Sequence, residues 1–121
     1  MNATRASIGA EAERRARSWL EAQGLVFVVA NWRAQFHKQA GELDLVMREG
    51  ETLVFVEVRK RSRSDFGGAA ASVDGYKQLK LVRAARAFLA SQVRGALPPC
   101  RFDVVAIEGE QVQWIRDAFS A

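Results

Sequence analysis

At 121 residues the chain is long enough for one domain with a single modest core and too short for two. Its 49% apolar and 26% charged residues are those of a globular protein, and 18 basic against 14 acidic side chains leave a net charge of +4 that favours polyanionic partners. The lone cysteine, Cys100, excludes an intramolecular disulfide and a Cys-based zinc site; with no signal-peptide run and no stretch near the roughly 20 apolar residues of a membrane span, the expected location is cytoplasmic.

After a frayed start over residues 1–7, Ser7 is a candidate N-cap and apolar residues recur at Ile8, Ala12, Ala16, Trp19 and Leu20, which predicts a helix ending at Gly24. Arg14, Arg15 and Arg17 lie on its other face. Helical geometry sets Glu13 roughly 80° from the centre of the apolar stripe and Glu11 at the opposite border, so periodicity does not choose between them. Leu25 to Val29 predicts a first strand leading into Asn31-Trp32-Arg33. A polar loop, 34–40, follows. It holds His37, the only histidine, so a His-based triad or zinc site is excluded.

The next stretch, GELDLVMREGETLVFVEVRKRSR from Gly41 to Arg63, reads as two strands joined by a tight turn centred on Gly50 and Glu51. The antiparallel register then sets Asp44 opposite Glu57 and Glu42 opposite Arg59. Two facing carboxylates repel unless a cation lies between them. Glu57 also shares its face with Leu53 and Phe55, where an unpaired charge is costly to bury. A hard divalent cation with oxygen ligands removes both costs, and Arg59 projects from the same face.

Arg59-Lys60-Arg61-Ser62-Arg63 runs into the Gly-rich segment Ser64 to Gly68, a pattern suited to phosphate contacts through side chains and backbone amides. A second helix is expected from about Tyr76 to Arg94, closed by Gly95 and Pro98-Pro99. Leu79, Leu81, Val82, Ala85, Phe88 and Leu89 give it a wide apolar face, while Lys77, Lys80, Arg83 and Arg86 recur along another side. Arg101 to Ile107 and Val112 to Ile115 predict two last strands joined at Gly109, with Asp103 in a packing or pairing role.

Asp44, its spacing to Glu57 and a basic residue two positions further resemble the PD-(D/E)xK nuclease motif. The wider string GELDLV…FVEVRKR…FGGAAASV…K…RFDVV…AF is similar to the YraN family, small bacterial proteins predicted to be endonucleases and distantly like archaeal Holliday junction resolvases. The resemblance covers nearly the whole chain. Together with the order helix, three strands, helix, two strands, it implies an α/β, restriction-endonuclease-like three-layer domain over 1–121, αβββαββ around a mixed sheet. It further implies a Mg²⁺- or Mn²⁺-dependent DNA endonuclease in which Asp44 and Glu57 hold the metal and the Val58 carbonyl is a further ligand. Glu13 is favoured over Glu11 because it stands seven residues before Leu20, as the family's helical glutamate does. Lys77 matches the lysine that follows the family's FG…SV loop. Arg59, Lys60, Arg61, Arg63, Lys77 and Lys80 are the expected nucleic-acid contacts, branched DNA the implied substrate and a homodimer the implied assembly.

One position departs from the nuclease motif, which has lysine where this chain has Arg59. A guanidinium stabilises a developing oxyanion but cannot serve as a base. Lys60, adjacent, points to the other face of a regular strand. Arginine also occurs here in some members of the YraN family. The alternative expectation is therefore a non-catalytic nucleic-acid-binding module on a nuclease scaffold, and a third is a protein-interaction adaptor whose basic surface is solubilising.

Overall fold

Leu53-Val54-Phe55-Val56 is apolar at every position, so a strand that carries it needs cover on both faces. In the computed structural model, which describes residues 5–34, 40–61 and 73–121, that strand is the middle of a five-stranded sheet with a helix on each face. The elements are α1 (Arg5–Ala22), β1 (Val26–Trp32), β2 (Leu43–Glu49), β3 (Thr52–Lys60), α2 (Gly75–Gln92), β4 (Cys100–Glu108) and β5 (Gln111–Phe119). Strands lie in sequence order and neighbours are antiparallel except β3 and β4, which run parallel. A parallel pair needs a long crossover, and α2 supplies it. This is the mixed-sheet, three-layer αβββαββ arrangement of a nuclease-like fold. No helix among the described residues is long and apolar enough to cross a membrane.

Each side of the sheet has its own core. Ala12, Ala16 and Leu20 of α1 pack on Leu45, Met47, Val54, Val56, Val105 and Ile107, and Trp19 meets Trp114 edge-on at 5.7 Å. Leu81, Val82, Ala85 and Phe88 of α2 cover Val46, Phe55, Phe102 and Val104. Phe88 stands edge-on to both Trp32 at 5.3 Å and Phe55 at 5.9 Å. Alternation along β3 thus sends Val54 and Val56 toward α1, and Phe55 and Glu57 toward α2.

The β2–β3 hairpin has the expected register: Leu45 pairs with Val56, Met47 with Val54 and Glu49 with Thr52. Gly50-Glu51 is left as a two-residue loop, and Gly50 takes φ +60°, as the first central residue of a II′-type turn must. The start of β2 is held against α2 by Gly41, whose N–H donates to the Lys80 carbonyl at 3.1 Å; a Cβ there would meet the Lys80 Cβ at 3.3 Å.

Several boundaries differ from expectation. Helix α1 already includes Arg5, so Ser7 lies inside it and is not its N-cap. Helix α2 starts at Gly75 and is capped by Asp74, whose carboxylate accepts from the Lys77 N–H at 2.8 Å. Leu79 does not join the core; it is 47% exposed because the sheet covers a narrower face of α2 than the apolar pattern offers. Strand β5 extends to Phe119 past a bulge opposite Asp103. There Asp117 has φ +51°, and its N–H donates to Asp103 Oδ1 at 2.9 Å. Trp114 Nε1 and the Arg101 guanidinium also donate to Asp103, which is fully buried. The packing role expected for Asp103 is the one it has. His37, Arg63 and the Gly-rich segment 64–68 lie outside the described residues.

Candidate active site

At the end of β2 away from the hairpin turn, Asp44 of the strand and Glu42, which just precedes it, meet Glu13 of α1. One carboxylate oxygen from each of Glu13, Glu42 and Asp44 lies within 4.8 Å of the others. The approach of α1 depends on β1, where Asn31 adopts φ +54° and its side chain hydrogen-bonds Glu13. Of the two helical carboxylates that periodicity left open, Glu13 enters this cluster. Glu11 lines a separate groove with Arg14, Arg15 and Trp19.

Asp44 is tied to the neighbouring strand: its Oδ2 accepts from the backbone N–H of Val58 at 2.9 Å. Glu57 adjoins it from β3, is only 5% exposed, and interacts directly with the Asp44 carboxylate. Two cations share Glu57 Oε1: Lys77 Nζ at 3.6 Å and Arg59 Nε at 3.4 Å. Glu57 Oε2 is buried without a hydrogen-bond donor among the described residues. Its neighbour Asp44 is itself an acceptor, so the pair calls for a proton, a bound water or a metal cation.

The electrostatics follow from that crowding. Burial, then the charge of Asp44, pushes Glu57 up to about 7, with Lys77 and Arg59 pulling the other way. Asp44 is raised by burial, against the Val58 N–H and Lys77, which hold it down. Glu13 is raised by partial burial and by Asp44, with the Asn31 hydrogen bond opposing. Carboxylates that resist ionising in one another's presence are what a divalent cation relieves.

An open groove of about 520 Å³ leads to the cluster, and Arg33, Tyr76, Lys77 and Lys80 contribute to its walls. Arg33 donates to Glu42 Oε2 at 2.9 Å. Glu42 forms its ion pair with Arg33, and Arg59 turns to Glu57, so the two are not each other's ion-pair partner although the hairpin register is the expected one. Lys80 stands over the Tyr76 ring at 4.8 Å. Lys60 is exposed at the end of β3, and Arg61 lines a different groove beside Glu108 and Gln111. Glu42 is the residue that sequence reasoning left out of the ligand set. Its two-residue spacing from Asp44 was the available signal, although β2 begins only at Leu43.

The family model described as "Uncharacterised protein family UPF0102" matches residues 12–107. The chain is 52% identical over 119 residues to a UPF0102 protein of Cupriavidus taiwanensis, covering 98% of this chain and 86% of that one. It is 51% identical over 114 residues to a UPF0102 protein of Aeromonas hydrophila, with 93% and 85% covered. It is 50% identical over 119 residues to the UPF0102 protein YraN of Salmonella newport, with 97% and 87% covered.

Proposed function

This chain belongs to the UPF0102 family, and we propose that it is a divalent-metal-dependent endonuclease that hydrolyses phosphodiester bonds in DNA. The observation that carries the proposal is the convergence of Glu13, Glu42 and Asp44 beside buried Glu57, one of whose oxygens has no donor among the described residues. These all-oxygen groups fit Mg²⁺ or Mn²⁺, and the Val58 carbonyl is the further ligand expected from the nuclease motif. A cation held there lowers the pKa of a bound water and offsets charge building on the attacked phosphate.

The protein's own groups do the rest. The Val58 N–H fixes the orientation of Asp44. Lys77 and Arg59, already gathered at Glu57, lie where a phosphate approaching the acids meets positive charge. Arg33 and Lys80 at the groove wall attract the nucleic-acid backbone, a sequence-independent contribution. Branched DNA is the finer substrate proposal, resting on the resolvase-like family resemblance.

The test is a cleavage panel of linear, flap and four-way DNA with Mg²⁺ or Mn²⁺, run beside Glu57→Ala. Metal-dependent cleavage lost in the variant supports the endonuclease. Salt-sensitive binding without cleavage under any metal supports the second reading, a non-catalytic nucleic-acid-binding module. That reading is favoured by one observation, the guanidinium of Arg59 where the nuclease motif has an amine.

A further inference from the structure

We propose that Tyr76 is a stacking platform for one unpaired nucleobase, so that the site takes a nucleic-acid strand that is locally free of base pairing. The inference rests on the nucleic-acid reading of the acidic groove and names its substrate class. Tyr76 is 69% exposed on the first turn of α2, the most exposed large apolar side chain on that helix, and Leu79 one turn on is 47% exposed. Among the described residues the ring joins neither core, and its neighbour is the Lys80 ammonium. Yet it stands on the wall of the groove that holds Glu13, Glu42 and Asp44.

Charge complementarity identifies the occupant. Lys77 follows Tyr76 in the chain and reaches Glu57, while Lys80, one turn on, holds its ammonium 4.8 Å from the Tyr76 ring centroid. An aromatic face set among cations beside an acidic centre is the arrangement that stacks a base while neighbouring charges hold its phosphates. Base pairing separates the two kinds of strand: stacking on Tyr76 needs a base whose face is free, which a base paired and stacked within a duplex does not offer. A base stacked on Tyr76 sets the phosphates of its strand beside Lys77 and the Asp44 side of the same groove.

The test is binding without metal, in EDTA, so that it stands apart from cleavage. Fluorescence anisotropy compares a single-stranded 20-mer, a 20-base-pair duplex and a flap, each at fixed salt, for the wild type, Tyr76→Phe and Tyr76→Ala. Tyr76→Ala is expected to weaken single-strand and flap binding by about tenfold while leaving duplex binding within about twofold, and Tyr76→Phe to keep wild-type affinity. A 2-aminopurine in the flap should be quenched by the wild type and by Tyr76→Phe but not by Tyr76→Ala. Equal loss on all three DNAs, or no loss on any, overturns the stacking role. A wild type that cleaves DNA while Tyr76→Ala binds normally overturns this inference and leaves the endonuclease proposal standing. The single-strand preference without cleavage does the reverse.

Discussion

The backbone N–H of Val58 donates to Asp44 Oδ2 at 2.9 Å, so the aspartate of β2 is anchored to the strand that carries Glu57. Together with the β2–β3 pairing, that bond keeps the two carboxylates side by side, and their mutual repulsion becomes a property of the fold.

Asp44→Asn keeps an oxygen that accepts from Val58 and removes the charge. The variant should retain its fold by circular dichroism and lose at least about tenfold in Mn²⁺ affinity by titration calorimetry. Glu42→Gln should weaken Mn²⁺ as well, because Glu42 lies in the same carboxylate cluster. Undiminished affinity in both variants would remove the cluster as a metal site.

Glu57 makes stability depend on pH in a stated direction. Between 4.5 and about 7 the folded protein still holds a proton on Glu57 that the unfolded chain has released. The unfolded state therefore binds fewer protons, and stability falls as pH rises through that window, by at most about 3 kcal/mol. Asp44 and Glu13, also raised, act with the same sign. Urea melts in EDTA should show the loss in the wild type and a flatter profile in Glu57→Gln. Added Mg²⁺ should restore stability above pH 7 in the wild type more than in the variant.

Arg59 separates chemistry from scaffolding. With an active endonuclease, Arg59→Lys should retain or raise cleavage, because it places an amine on the same face of β3. Arg59→Ala should lower the rate by roughly 10²–10³, the scale of one lost transition-state donor. If Arg59 serves only as the ion-pair partner of Glu57, Arg59→Ala changes the melting temperature and leaves the rate untouched.

Lys77→Ala should weaken DNA binding to a similar degree across sequences and flatten the salt dependence by about one phosphate contact. A sequence-selective loss would mean that Lys77 contacts a base edge. The measurement is anisotropy across a salt series with two single strands of unrelated sequence.

Asp103 offers a structural control. Asp103→Ala strands the Arg101 guanidinium, Trp114 Nε1 and the Asp117 N–H in or near the core. A cost of about 3–5 kcal/mol is expected in urea melts. Mn²⁺ affinity should be unchanged, because Asp103 belongs with Glu49 and Arg101 at the hairpin-turn end of the sheet, away from Asp44.

Much of this was legible in the sequence where the chain's local rules suffice. A glycine-containing turn and a side-chain period of two set the β2–β3 register, and the register brings Asp44 toward Glu57. The stripe through Ala12, Ala16 and Leu20 marked the buried face of α1 because helical period and burial coincide there. Periodicity left open which border of that stripe reaches the acids; the family spacing favoured Glu13, and the tertiary structure places it there. Glu11 and Glu13 flank the stripe equally, and the choice depends on how α1 is rotated on the sheet and on the left-handed turn at Asn31. The partners of the cations were likewise undetermined. Arg33 takes Glu42, and Lys77 joins Arg59 at Glu57, because α2 sits against the start of β2 and the long Lys77 side chain reaches across to β3. Periodicity names the face a residue occupies; only the packing of elements distant in sequence says what that face meets.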